Sequence, residues 1–350
     1  LALVVFAVAA NGGLLLLRDP YFRFAYPRLA RPITPQQIGK RAEILAGIET
    51  RWRTPGVEIV KFPQPGVNAF LVRLADDTQA FVDPVTGDVI DHWHWSERLP
   101  AFLFELHAHL FADRPGTIVN GMAALFVIFM TLTGVLLWWP GRRSAFRLAG
   151  AIPRRTAPVD LLRSHAAAGL LGAIPIVVFV ATGGVMAFYQ QTGRVMSRLF
   201  DSRAPMEANG RVAPREQNVL PWSALLPALD RTFADGHTVY YYPGTAQNAR
   251  RMFRKRLPGE WHPNGRSYIT IDPYTADVVQ AIDARAQGAG TRFMNTIYPV
   301  HAATVGGAAM DIVGGFAALV LAWLAAGGAW SFFGRRAVRR RQRNDVGAVA

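Results

Sequence analysis

The 350-residue chain contains no cysteine, which excludes thiolate-held iron–sulfur clusters and covalent cofactor attachment through Cys-x-x-Cys-His within it. No acid–base or nucleophilic constellation is legible either, so any chemistry has to come from a bound cofactor. Acidic residues are few: 24 Asp and Glu stand against 38 Lys and Arg, a formal net charge of +14. The opening apolar run has no basic leader and is read as a membrane span, not as a signal peptide. With Leu rather than Met first, that run reads as cut at its upstream end.

What is present is apolar. Hydrophobic residues make up 51% and aromatics 11%, yet mean hydropathy is only mildly positive, so membrane spans and sizeable water-soluble parts are both expected. Crossing the hydrocarbon core takes about 20 apolar residues. Residues 117–139, 170–189 and 308–333 reach that length, and 1–17 falls short of it. Residues 140–164 and 334–350 each carry six Arg against one Asp, so ten of the 14 net charges flank spans. That is the positive-inside pattern and not a nucleic-acid surface; it places both segments in the cytoplasm and the stretches at roughly 18–106 and 190–300 outside.

The chain is written twice. Asn11-Gly12-Gly13 and Thr182-Gly183-Gly184 sit toward the ends of two apolar runs, and each run is followed by a soluble stretch with a related turn. The turns read Val82-Asp83-Pro84-Val85-Thr86-Gly87-Asp88-Val89 and Ile271-Asp272-Pro273-Tyr274-Thr275-Ala276-Asp277-Val278. His107 then lies 27 residues before Gly134, and His301 lies 27 before Gly328. Each half therefore predicts a span going out, an external module and a span coming back. This is a four-helix membrane core built as a parallel repeat about an axis along the membrane normal, carrying two small α+β domains.

The expected division starts with a first span at 1–17, an external module at 32–96, and a histidine-bearing segment with the second span at 97–139. A cytoplasmic loop follows at 140–164, then a third span at 165–189 and a second module at 215–282. A histidine-bearing segment with the fourth span at 293–333 and a tail at 334–350 complete it. In the first module Thr34 caps and Pro35 opens a helix to about Arg53, before strands at 56–62, 69–74, 80–82 and 89–93. The second offers a helix near 222–234 and strands near 238–242, 266–271 and 278–281.

Of eight histidines, three lie at membrane depth, where a polar group is a functional candidate. Neutral imidazole is a good iron ligand, and two of them on opposite faces make a six-coordinate haem suited to electron transfer. Equivalent positions in the repeat make His107 and His301 the natural axial pair. His165, in Arg163-Ser164-His165-Ala-Ala-Ala-Gly169, has a glycine one turn on that clears room for a flat macrocycle. The offset of 171 between the two Gly-Gly pairs puts its counterpart about seven residues before Leu1.

The remaining histidines carry less. His109 points away from His107 on a helix, as a spare or substrate-side group. His92 and His94 share a strand face that reads as a solvated edge before it reads as a metal site; His237 and His262 read as loop residues. Arg250, Arg251, Arg254, Lys255 and Arg256 form an external basic cluster, read as a solvated charge run or a contact with anionic lipid heads before a surface attracting an anionic iron chelate.

Leu106-His107 before a span ending Leu-Thr-Gly134-Val-Leu-Leu-Trp-Trp139, His165 with Gly169, Val300-His301 before the last span, and two Asp-Pro-x-Thr turns together resemble the PepSY-associated transmembrane proteins. The resemblance covers nearly the whole chain. It implies a bacterial inner-membrane protein with periplasmic PepSY domains and a cytoplasmic C-terminus, holding two b-type haems. His107, His301 and His165 match the family's haem histidines, while its His-Arg-Trp near the start of the first helix has no match. The implied activity is reduction of a periplasmic ferric siderophore or other iron chelate with electrons from a cytoplasmic or quinol donor, the lipid bilayer being the other partner. Rival readings are a non-catalytic membrane-tethered module that binds an external protease or ligand, and a metal-binding accessory of a transporter. Ala276 in place of Gly87, and the lack of a Thr-Gly at Gly328, depart from the repeat.

Overall fold

A computed structural model describes residues 1–32, 34, 37, 39–138, 158–201 and 206–347; the Pro35 helix start, Trp139, residues 140–157 of the basic loop and the last three residues of the tail lie outside them. The chain divides into two compact units. One comprises Leu1–Leu16, Leu103–Tyr189 and Val300–Ala350, and the other Leu17–Phe102 and Gln190–Pro299.

The first unit is helical. It contains α1 (Ala2–Leu15), most of α4 (Leu99–His109), α5 (Asp113–Trp138), α6 (Pro158–Ala187) and α10 (Ala308–Gly347). Helices α5, α6 and α10 are long and apolar enough to cross a membrane. The first helix joins them only when it and α2 (Arg18–Ala25), which follows a bend, are taken as one broken span. Their outer faces carry large exposed apolar side chains such as Phe129, Leu136, Ile174 and Leu319, as lipid-facing helices do. Inside the unit, α5 packs on α6, and α10 packs on both α1 and α6. Gly172 permits the last of these contacts, because a Cβ there would lie 2.7 Å from Val320 Cγ1. Two boundaries differ from the sequence reading. Helix α6 begins at Pro158, so His165 sits about two turns into the helix, and α10 runs on through the basic tail to Gly347.

The second unit is one eight-stranded antiparallel sheet in the order β4-β3-β2-β1-β5-β6-β7-β8. Strands β1 (Val57–Lys61), β2 (Phe70–Leu74), β3 (Thr78–Val82) and β4 (Val89–His94) form one meander, and β5 (His237–Tyr242), β6 (Arg251–Arg256), β7 (Ser267–Ile271) and β8 (Val278–Ile282) form the other. The two modules share the sheet because β1 pairs with β5 through Val60↔Tyr241 and Lys61↔Tyr240. On one face α3 (Arg41–Arg51) and α8 (Trp222–Arg231) bury Ile44, Leu45, Ile48, Leu225 and Leu229 against Val60, Val72, Phe253 and Ile269. Thr34 stands where the cap is expected: its N–H donates to Gln37 Oε1 at 2.8 Å, as in a capping box, and Gln37 and Gly39 are helical before a turn at Lys40 leads into α3. On the other face, Phe22 of α2 and Leu29 of the 3-10 turn Pro27–Ala30 close over Phe81 and Trp93. The unit also holds α7 (Tyr189–Phe200) from Gln190 on and the first eleven residues of α9 (Ala289–His301).

The duplicated turns fold alike. Asp83 Oδ1 accepts from Val85 and Thr86 N–H, and Asp272 Oδ1 accepts from Tyr274 N–H. Gly87 has φ 77° and Ala276 φ 64°, so the alanine takes the left-handed conformation its glycine counterpart adopts freely.

Candidate functional site

Two short helices each deliver a histidine beside a span. Helix α4 carries His107 two residues from its end, and the chain then turns into α5 through Leu110, Phe111 and Asp113, all at positive φ. Helix α9 ends at His301 and turns into α10 through Ala303, Gly306 and Gly307, also at positive φ. The left-handed turns reverse the chain in a few residues, so both imidazoles are carried at helix ends.

The two rings meet. Their centroids are 5.9 Å apart with an interplanar angle of 32°. His107 Nδ1 lies 2.9 Å from Val8 O on α1, and His301 Nδ1 lies 3.0 Å from Phe179 O on α6. Val8 and Phe179 are separated by 171 residues, the offset already set by the Gly-Gly pairs. The glycines explain the close seat. A Cβ on Gly12 would fall 2.8 Å from His107 Cε1, and one on Gly183 would fall 2.9 Å from His301 Cε1. Any larger residue at either place collides with the imidazole.

A backbone carbonyl can only accept, so Nδ1 of each ring carries the proton and donates it, which leaves the Nε2 lone pair available. Among the described residues, neither Nε2 makes a hydrogen bond. Thr182 Oγ1 donates to Val178 O at 2.7 Å and presents its oxygen to His301 Nδ1 at 3.2 Å. Asn120 Nδ2 donates to His107 O at 2.7 Å and Ala108 O at 3.1 Å, pinning the end of α4, while its Oδ1 is buried without a partner. Burial lowers the basicity of both imidazoles, that of His301 to about 4 with His107 as the second cause, so both are neutral near pH 7.

His165 is not part of this pair. It lies 18 residues before Gly183 on α6, about 27 Å along the helix at 1.5 Å per residue. Its side chain is exposed, whereas neighbouring Ser164 is buried and accepts from Trp323 Nε1 at 3.2 Å. His109 Nδ1 contacts Glu105 Oε2 at 2.8 Å, one turn back on α4. His94 Nδ1 is 2.8 Å from Ser96 Oγ, and exposed His92 lies on the same edge strand β4. Among the described residues no group of three or more His, Asp or Glu is arranged to hold a metal ion.

The reading of residues 250–256 as an exposed basic cluster is corrected. Residues 251–256 form β6, an interior strand that Arg250 immediately precedes, and Arg251, Arg254 and Lys255 are buried. Lys255 Nζ donates to Thr232 O and Phe233 O at the end of α8, and Arg254 Nε donates to Gly265 O at 2.6 Å. Arg250 Nη1 donates to Ala208 O and Gly210 O. Arg251 lies 4.0 Å over the Trp222 ring and donates to Glu49 Oε2, which also accepts from Trp222 Nε1; Glu49 Oε1 accepts from Tyr241 Oη at 2.6 Å. These cations are held internally, and Arg256 closes the strand opposite His237.

Two further groups carried no signal in the sequence. His262 is buried, stacked at 4.9 Å on Tyr298, and burial with Arg266, Arg254 and Arg256 nearby holds it neutral. Lys61 lies over the Tyr240 ring, and burial, then Arg18, lowers its ammonium to about 8.

No curated protein matches the chain. The family described as the PepSY-associated TM region matches residues 1–335, which takes in both histidine-bearing helices, the glycines they rest on and the whole sheet. A membrane protein whose span-flanking histidines face each other and whose antiparallel sheet is built from two like turns therefore belongs to the PepSY-associated TM region family.

Proposed function

We propose that this protein is a b-type di-haem electron carrier of the bacterial inner membrane, which reduces a periplasmic iron chelate such as a ferric siderophore with electrons from the cytoplasmic or quinol side. The observation that carries the reading is the facing pair His107 and His301. Metal–nitrogen bonds of about 2 Å put the centroids of two imidazoles on opposite sides of one metal roughly 6 Å apart. The rings stand 5.9 Å apart, each with its Nδ1 tied to a carbonyl, the partner a metal-ligating imidazole usually has. Gly12 and Gly183 make room for the rings, since a Cβ at either would fall within 3 Å of an imidazole Cε1.

His107 and His301 would hold the outer haem, and His165 would supply one ligand of an inner one. When bound, haem supplies one-electron chemistry at iron, which the cysteine-free chain has no other evident means of performing. Two sites suit a core of about 30 Å better than one. The matching contacts of α1 with α10 and of α6 with α5 support a four-helix core in which each half lends its first helix to the other's second. In that arrangement the sheet is periplasmic and the arginine-rich tail cytoplasmic.

The test is a reduced-minus-oxidised visible spectrum of the full chain purified in detergent, with the His107→Ala and His301→Ala variants beside it. Sharp reduced bands are expected in the parent and are lost in both variants. Well-folded parent protein without haem, or variants with unchanged spectra, would sink the proposal in favour of the non-catalytic module.

A further inference from the structure

Helix α7 follows the α6 span after one residue, Phe188, and its surface is divided. One side is packed against α9. A Cβ on Gly290 would fall 2.3 Å from Met196 O, and one on Gly193 would fall 3.8 Å from Met294 Cε, so the two helices are in close contact. Asp201, just past the end of α7, accepts from Gly290 N–H at 2.7 Å and from Thr291 Oγ1 at 2.6 Å, tying down the start of α9.

The opposite side has no cover. Val195 and Leu199 are 49% and 65% exposed, and Arg194 and Arg198 lie exposed beside them at a spacing of one helical turn. The helix itself carries no acidic residue, and neither arginine has a salt-bridge partner among the described residues. An apolar strip bordered by cations, continuous with a span and uncompensated by acids, has the composition of a helix lying in the lipid–water boundary.

We propose that α7 is an interfacial helix seated in the leaflet where α6 ends, with Val195 and Leu199 at the acyl boundary and Arg194 and Arg198 on the phosphates of anionic lipid. The seat concerns lipid and not haem, so it stands whether or not His107 and His301 bind a cofactor. Because α7 is locked to α9, it also anchors at the membrane surface the helix whose last residue is His301.

The cysteine-free chain makes the test direct, since one introduced cysteine is the only one to label. Nitroxides at Val195→Cys and Leu199→Cys are measured in the full chain in nanodiscs of phosphatidylglycerol, for collisional access to oxygen and to a water-soluble nickel chelate. Asp76→Cys on the exposed β2–β3 turn serves as the water reference and Leu125→Cys on the outer face of α5 as the lipid reference. The expected result is oxygen-favoured access like that at Leu125, with nickel access several-fold below that at Asp76. Nickel access equal to Asp76 overturns the proposal, and so does protection from both reagents, which would mean protein covers the face. R194Q/R198Q is expected to raise nickel access in phosphatidylglycerol discs and leave it unchanged in phosphatidylcholine discs. No change in either lipid overturns the anionic-lipid assignment.

Discussion

His107 and His301 occupy equivalent places, yet their surroundings are not copies. Each ring rests on a glycine of a span and donates to the carbonyl four residues before it. Around His301, Thr182 adds an oxygen at 3.2 Å; at the equivalent position around His107, Asn11 turns its amide to Ala7 O instead. Asn120 pins the end of α4, whereas 194 residues on, at the offset between the two histidines, stands Gly314, where a Cβ would fall 3.1 Å from Phe179 Cζ. What the halves share is the backbone seat of the imidazole, and what differs is the side-chain support around it. The shared part is the part a paired ligand needs; the rest is free to diverge.

The sharpest way to break that symmetry is to fill the glycines. Gly12→Val and Gly183→Val each drive carbon into an imidazole and should abolish the paired site from either side. Overpacking should also cost about 1–3 kcal/mol. Cofactor absorbance per mole of protein, together with a melting curve, reads both effects. Equal losses from the two variants mean the rings act as a pair; loss from one alone would mean a single-histidine site.

In the sheet, the halves are joined by a buried and an exposed contact, and the two should differ in worth. Glu49→Gln leaves Arg251 buried with its carboxylate gone, at a cost of about 3 kcal/mol. Asp230→Asn removes only the exposed partner of Arg41 and should cost under about 1 kcal/mol. Denaturant unfolding of the two variants separates them.

Lys61 gives a pH signature on the seam between the modules. Its folded-state value, lowered to about 8, lies below the ordinary 10.5, so the unfolded chain binds the extra proton between these values. Stability should therefore rise as pH climbs from about 8 to about 10.5. The rise should flatten in Lys61→Met, as followed by melting temperature across that window.

The smallest effect lies at the duplicated turns. Ala276→Gly should stabilise by about 0.5–1 kcal/mol by relieving the left-handed alanine, and Gly87→Ala should destabilise by a similar amount. Opposite signs in paired melts would establish the two turns as one device with different residues.

The duplication, the matching turns, the three long apolar spans and the equivalence of His107 with His301 were legible in the sequence, because each is a spacing or periodicity along the chain. The missed strand β6 shows where that stops. Arg251-Met-Phe-Arg-Lys-Arg256 has no apolar alternation, since its cations are neutralised by Glu49, 202 residues away, and by carbonyls at the end of α8. No local pattern encodes those partners. The same holds for the single sheet, which exists because β1 meets β5, and for Lys61, whose ammonium is lowered first by burial and next by Arg18. One-dimensional spacing by itself determined which histidines correspond. Only the tertiary structure decided that their rings stand 5.9 Å apart with each Nδ1 on a carbonyl, because that distance is set by helix packing over two glycines and not by separation along the chain.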